Sequence, residues 1–507
     1  MYSILFSEPM KPRREEPECF RDLNLDQLLD PVLKNENNMD LAPCFYTPVP
    51  TEAQAVFRQE IQKDLLRKDN LRILDQFSQE ICRLADCEDR TNRDLNSGDP
   101  WRCHYLLYGH ILHYGEQYAA CILGFCRRLP DMGLCSEGLR QAADMLEKLQ
   151  KSTFFKHLID AQVSLRQKFN GIQYIMQIKY GTVRVKKYEG EENLSEKIAA
   201  LFQKFQNDQQ HDYRKDLKEE PYADHVEASL LQCVSKLYPR EFESLFAYVK
   251  QFSRFVDGDV LRFCREIRFY IDWLLLIEPM KDCGLPFCFP EFQGSGSFGT
   301  DVFDLMLAKR IGNHVVRNDF SLGPGEQILV ITGPNQGGKT TFARSLGQIH
   351  FLASLGLCIP GTSAGLRLTD QVLTHFGREN SGLQRSGRLQ DDLQRLHSIL
   401  SHATEKSFLV INEIFASTPA QDGVNLGEKM IGRIADRGST GVLVTFLSEL
   451  ASCRPQTVSM MSTVDPENPE LRTFRIVRKP AAGITYAMTL ARKHGLSFEQ
   501  VMRRLGK

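Results

Sequence analysis

Four absences narrow the possibilities for this chain. No CxxC pair occurs among its 14 cysteines, and close pairs such as Cys82 with Cys87 and Cys283 with Cys288 lack the spacing of zinc or redox motifs. Reduced thiols in a cytoplasmic protein are expected, without cysteine-held metal. Net charge is also missing: 63 basic residues face 64 acidic ones, a formal charge of −1. Attraction to nucleic acid must therefore come from a local patch. No long apolar run is present. The longest cluster, around Trp273 to Ile277, is far short of the roughly 20 residues that span a bilayer, and the opening MYSILFSEPMKPRREEPE has no signal-like core. A soluble intracellular protein with no membrane partner is expected. No repeat of 20 to 50 residues is evident, which argues against a solenoid.

What is present is ordinary globular composition, 42% hydrophobic and 25% charged, over 507 residues. That length exceeds one core and predicts two or three domains. Residues 1–40 are polar and broken by prolines, as in Lys11-Pro12-Arg13-Arg14-Glu15-Glu16-Pro17, and are expected to form a loosely held arm. Residues 41–284 are expected to form an all-α domain, because apolar residues recur at helical spacing: Leu71, Leu74, Phe77, Ile81 and Leu84, then Leu139, Ala142, Leu146 and Leu149, then Val256, Val260, Phe263, Ile267 and Tyr270. The aromatic members of these stripes read as core, not as a cofactor box. One interruption, near 172–188, has β-branched residues on both sides of Tyr180-Gly181-Thr182 and predicts an inserted hairpin. Its Lys179, Arg184, Lys186 and Lys187 suit either contact with phosphates or protection of an edge strand from aggregation. After Gly284-Leu285-Pro286 and the stretch Gln293-Gly294-Ser295-Gly296-Ser297, short apolar runs alternate with helical segments. Residues 285–507 are therefore expected to form an α/β domain.

Chemistry concentrates in that second half. The strand-like run Ile328-Leu329-Val330-Ile331-Thr332 enters Gly333-Pro334-Asn335-Gln336-Gly337-Gly338-Lys339-Thr340-Thr341, which satisfies GxxxxGK[ST] ahead of a helical segment. Glycines let the backbone N–H groups wrap a phosphate at a helix N-terminus, Lys339 adds charge at the β/γ end, and Thr340 offers a hydroxyl to Mg²⁺. A second apolar run, Phe408-Leu409-Val410-Ile411, ends in Asn412-Glu413, as where a buried parallel strand delivers polar groups to the edge of its sheet. Glu413 is the candidate to orient or deprotonate an attacking water, its alternative being a structural carboxylate. Asn412 stands where such strands usually carry an aspartate of the Mg²⁺ shell. A third run, Val442-Leu443-Val444-Thr445-Phe446, predicts another strand.

TGPNQGGKTT resembles the ATPase loop of the MutS mismatch-repair family, a pattern far narrower than the generic P-loop. Val316-Arg317-Asn318-Asp319, Ala403-Thr404-Glu405-Lys406-Ser407, Thr418 and Asp422-Gly423 follow in family order. The resemblance is firm over about 285–507 and implies an ABC-type P-loop ATPase domain behind a helical core and lever domain, with ATP and Mg²⁺ as cofactors. It implies DNA as a partner, in repair or recombination on mismatched or branched structures, and a homodimer through the ATPase domains. It carries Asn318 over as a residue near the nucleotide. It places Ser386, approximately in register, at the partner subunit's phosphates. Two departures touch catalysis: Asn412 replaces an aspartate, and Phe446 stands where the family has a histidine. They keep open the alternative of a nucleotide-gated scaffold for RNA, ribosomes or proteins, with slow or no hydrolysis. A separate mismatch-reading domain is not expected before the helical half, and Phe6-Ser7-Glu8 is not expected to act as its base wedge.

Overall fold

The computed structural model describes residues 3–5, 12–34, 41–97, 103–180, 182–191, 197, 225–377, 388–415, 418–465, 471–481 and 498–504. The chain divides into two compact units. The first joins Met1–Leu71 and Leu134–Arg140 to Arg265–Lys507, and the second comprises Arg72–Gly133 with Gln141–Cys264. The sequence, by contrast, suggests a change near residue 285. It gives no local sign that its first 71 residues and residues 265–284 keep company with the α/β half.

The first unit opens with α1 (Cys19–Asp22), α2 (Leu25–Leu33), α3 (Ala42–Tyr46) and α4 (Glu52–Leu65). Residues 1–40, read above as an arm, thus carry helices. Leu25, Leu28, Leu29 and Val32 recur at i, i+3, i+4 and i+7 and are buried. Arg58 of α4, fully buried, donates from Nε to the Leu5 carbonyl at 3.0 Å and from Nη1 to the Leu355 carbonyl at 2.9 Å. These partners lie far away in sequence, so propensity alone does not reveal them.

The second unit is helical: α5 (Lys68–Leu95), α6 (His104–Arg128), α7 (Glu137–Lys151), α8 (Thr153–Asn170), then β1 (Tyr174–Lys179) and β2 (Thr182–Lys187), then α9 (His225–Leu237), α10 (Pro239–Phe252) and α11 (Gly258–Asp282). The division between units falls inside α5, α7 and α11. Phe77 stacks on Phe125 at 4.0 Å, and buried Glu88 accepts from the Phe255 and Val256 backbone N–H groups at 2.6 and 2.9 Å. β1 and β2 pair antiparallel, with Gln177 opposite Arg184 and Lys179 opposite Thr182.

The remainder of the first unit contains β3 (Phe287–Cys288), β4 (Glu291–Phe292), β5 (Ser297–Val302), α12 (Leu305–Ile311), β6 (Asn318–Leu322), β7 (Ile328–Thr332), α13 (Lys339–Ser354), β8 (Ile359–Pro360), β9 (Ser363–Leu366), β10 (Val372–His375), α14 (Arg388–His402), β11 (Phe408–Asn412), α15 (Ala420–Arg437), β12 (Thr440–Val444), β13 (Thr457–Val464), β14 (Arg472–Arg478) and α16 (Phe498–Arg504). Six strands form the main sheet in the order β10-β11-β12-β7-β13-β14. Its first five are mutually parallel and β14 runs antiparallel to β13. Every residue of β7 and β12 is buried, as expected for strands covered on both faces. Ile328 and Val330 of β7 pack with Leu396, Met430 and Ile434 of α14 and α15. On α13, Gly347 leaves room for Leu23 and Val410: a Cβ there would lie 2.5 Å from a Leu23 methyl and 3.1 Å from a Val410 methyl. The N-terminal helices are thereby held against α13, with Gln348 Nε2 donating to the Leu23 carbonyl at 2.9 Å and Phe20 edge-on to Phe351.

Candidate functional site

β7, flanked by β12 and β13, delivers the glycine-rich loop to the carboxyl edge of the sheet. Gly333 has φ 123°, Gln336 φ 58° and Gly338, which precedes the first turn of α13, φ 83°. The first and last values suit glycine, which has no Cβ to clash. Gly337 is required for a different reason, since a Cβ would come within 2.1 Å of Ser462 Oγ on β13. The loop is thus pressed closely against β13 at Ser462. Among the described residues, the buried hydroxyls of Thr332 and Ser462 have no hydrogen-bond partner.

Lys339 begins α13 and its amino group turns back beneath the loop, donating to the Gly333 carbonyl at 3.0 Å and the Pro334 carbonyl at 2.8 Å. Burial lowers its pKa, Glu413 opposes that shift, and Arg472 adds to it. Phe446 sits with its ring centroid 4.9 Å from Lys339 Nζ and is half exposed. Thr340 Oγ1 donates to Asn412 Oδ1 at 3.0 Å, which joins the loop to the end of β11. Glu413 follows in a left-handed conformation, φ 53°, its N–H bonded to the Val444 carbonyl at 2.9 Å. A non-glycine residue with such backbone is a feature that clusters at functional sites.

Beside the helix end lies a cavity of about 450 Å³ whose walls include Phe303, Leu307, Val315, Asn318, Gly338, Thr341, Glu413 and Phe474. Gln336, Gly337, Lys339 and Thr340 line it too. Asp304 on its wall caps α12, accepting from the Leu307 N–H at 2.7 Å, and burial raises its pKa.

The residues expected from the sequence fall into groups. Gln336, Gly337, Gly338, Lys339, Thr340, Thr341, Asn318 and Glu413 share the cavity, while Gly333 and Pro334 hold the Lys339 amine and Asn412 holds Thr340. The Asn335 carbonyl accepts from Arg472 Nε at 3.1 Å. Asn318 does more than line the wall: its Nδ2 donates to the Phe474 carbonyl at 3.1 Å and its Oδ1 accepts from the Ile476 N–H at 2.7 Å. Both ends of the amide are spent on β14, so Asn318 fixes that strand beside the loop. Ser386 and Phe6-Ser7-Glu8 lie outside the described residues. Sequence reasoning missed Arg472, Phe474 and Ser462. The one signal available was the run of glycines, which announces a close neighbour without naming it.

Among the described residues no group of three or more His, Cys, Asp or Glu side chains is placed to hold a metal. No described helix is long and apolar enough to cross a membrane.

A mostly parallel sheet with helices and a glycine loop at the carboxyl edge of a central strand is an α/β architecture of the ATPase type. Residues 329–504 match the family model of MutS domain V, so this segment is similar to that domain. It is 31% identical over 194 residues to the endonuclease MutS2 of Thermus thermophilus, covering 37% of this chain and 25% of that protein. It is 29% identical over 192 residues to the DNA mismatch repair protein MutS of Chlorobaculum tepidum, covering 37% and 22%. The MutS of Bacillus pumilus is 27% identical over 244 residues, covering 45% and 27%. The chain thus spans about a quarter of the length of these curated relatives.

Proposed function

We propose that this chain is an ATP-binding and ATP-hydrolysing MutS-type protein that acts on DNA, in repair or recombination, as a cytoplasmic homodimer joined through its ATPase domains. The observation that carries the nucleotide half is the convergence of Lys339, the Thr340–Asn412 pair and Glu413 around one backbone cradle. The donor set fits a Mg-nucleotide: loop N–H groups and the α13 N-terminus for phosphates, Lys339 for the β/γ end, Thr340 with Asn412 for the metal's water shell. When bound, Mg²⁺ neutralises phosphate charge and aligns the terminal phosphoryl group. Lys339 exchanges its bonds to Gly333 and Pro334 for phosphate oxygens, regaining the solvation that burial removed. The Glu413 carboxylate orients or deprotonates the water, whereas Asn412, a neutral amide, takes no proton and positions only. Ser386 or a close neighbour is proposed to meet the partner subunit's phosphates.

The DNA half rests on the family match and on the hairpin. Opposed residues of an antiparallel pair share a face, so Lys179, Arg184 and Lys186 stand together on one side of β1–β2. Arg184 and Lys186 are exposed, and Tyr180 at the tip is 95% exposed. A second reading, a nucleotide-gated scaffold with slow turnover, is favoured by Asn412 and by Phe446 over Lys339.

The deciding experiment is equilibrium binding and turnover of Mg·ATP by the full chain, with and without branched, mispaired and plain duplex DNA and structured RNA at several salt concentrations. The parent is expected to bind ATP, hydrolyse it, and hold DNA with a steep salt dependence. Lys339→Ala is expected to lose nucleotide while keeping its melting temperature. ATP binding without turnover under any DNA condition replaces the motor reading by the scaffold reading, and no nucleotide binding by the parent removes both.

A further inference from the structure

Arg472 opens β14, and the antiparallel pairing of β14 with β13 sets it opposite Val464, at the same sheet edge as the glycine loop. Its Nε donates to the Asn335 carbonyl at 3.1 Å. The strand is not free to drift. Asn318 ties it at Phe474 and Ile476, and Phe474 itself, at φ 55°, has its Cβ 3.6 Å from where a Gly338 Cβ would stand. Arg472 and Phe474 therefore face the two ends of one loop, Asn335 and Gly338.

Those two ends differ in what they would meet. The cavity lies on the Gly338 side, with Gln336 through Thr341 among its walls. The Lys339 amine lies at the other end, on the Gly333 and Pro334 carbonyls. In a GxxxxGK loop the lysine reaches the β- and γ-phosphates, so a nucleotide whose base occupies the cavity runs its phosphate tail past the α13 N-terminus toward Pro334 and Asn335. Arg472 stands at that far end. Its guanidinium is bonded to the Asn335 carbonyl, next in the loop to the Pro334 carbonyl that holds the Lys339 amine, so two cations gather at that end. Two cations at one end of an anion-binding loop repel each other, and a terminal phosphate relieves that repulsion. An arginine fork also suits phosphate oxygens geometrically, more than a point charge does.

We infer that Arg472 is a second phosphate-binding cation of the same subunit, directed to the terminal phosphate of a nucleoside triphosphate and presented by Asn318 through β14. This deepens the ATP-binding reading and rests on it. It assigns to Asn318 a positioning role, carried through β14.

The test measures dissociation constants of Mg·ATPγS and Mg·ADP for the full-length parent, Arg472→Ala, Arg472→Lys and Asn318→Ala by calorimetry, with a thermal melt of each. Arg472→Ala is expected to weaken Mg·ATPγS at least about tenfold, or roughly 1.4 kcal/mol, with Mg·ADP changed less than about threefold and an unchanged melt. Arg472→Lys is expected to restore part of the loss, and Asn318→Ala, which also alters the cavity wall, to weaken both nucleotides but Mg·ATPγS the more. Equal weakening of both nucleotides would assign Arg472 to holding the loop and overturn the inference. Unchanged ATPγS affinity in Arg472→Ala would overturn it too. A parent that binds neither nucleotide would instead remove the ATP-binding reading itself.

Discussion

β7 and the β1–β2 hairpin are both rich in β-branched residues, yet one is wholly buried and the other is largely exposed. In β7 four consecutive apolar residues and a buried threonine leave nowhere for water, so the strand needs helices on both faces and becomes the rigid base of a loop. In the hairpin charged and amide side chains are interleaved with apolar ones, and Tyr174, Met176, Val183 and Tyr188 remain substantially exposed. The contrast separates two uses of β structure. A buried strand converts its stability into precision at its end, while a solvated ribbon offers side chains and contributes little to the core.

The largest effect that sharpens this contrast is expected at the end of a buried strand. Glu413→Gln should keep Mg·ATP affinity and slow hydrolysis by about 10² to 10⁴-fold, the usual contribution of a positioned acid or base; single-turnover kinetics would show it, and parent-like turnover would leave Glu413 a structural carboxylate. Next comes the strand itself. Leu329→Ala removes buried volume from β7, and a loss of about 2 to 5 kcal/mol in denaturant unfolding is expected.

A pH titration gives the third. His350 on α13 is fully buried, stacked on Phe408 at 3.7 Å, and burial drives its pKa down to about 3. Its folded value lies below the unfolded one, so the unfolded chain takes the proton first and stability falls as pH drops from about 6.5 toward 3. At pH 5 that loss amounts to about 2 kcal/mol. The unfolding free energy of the parent should fall between pH 7 and 5 by this much more than that of His350→Phe; parallel profiles would assign the acid sensitivity elsewhere.

The smallest stability effect belongs to the hairpin. Lys179→Glu with Arg184→Glu and Lys186→Glu should leave stability within about 0.5 kcal/mol, as surface changes do. The same variant should lower the slope of log DNA affinity against log salt by about 0.9 for each phosphate that these cations neutralise in the parent. A large drop in melting temperature would show that the ribbon supports the core after all.

Much of the α/β half was legible because its signals are local. The runs 328–332 and 408–412 are strands as the apolar pattern predicts, and the GxxxxGK spacing places loop and helix between covalent neighbours. The third run shows the limit: β12 covers Thr440–Val444, not 442–446, because Thr445 Oγ1 accepts from the Leu447 N–H at 3.0 Å and turns the chain. Phe446 therefore leaves the sheet and reaches Lys339.

By itself, then, the sequence determined the class of each half, the phosphate loop and the two polar residues at the end of β11, since each depends on spacing within a short stretch of chain. Tertiary structure decided what no spacing encodes: that residues 1–71 join the α/β unit, that Asn318 spends both ends of its amide on β14, and that Ser462 and Arg472 flank the loop. These pairings join segments far apart in the chain, fixed by sheet order and by a glycine's missing Cβ, and periodicity carries no record of which distant strand comes to lie beside another.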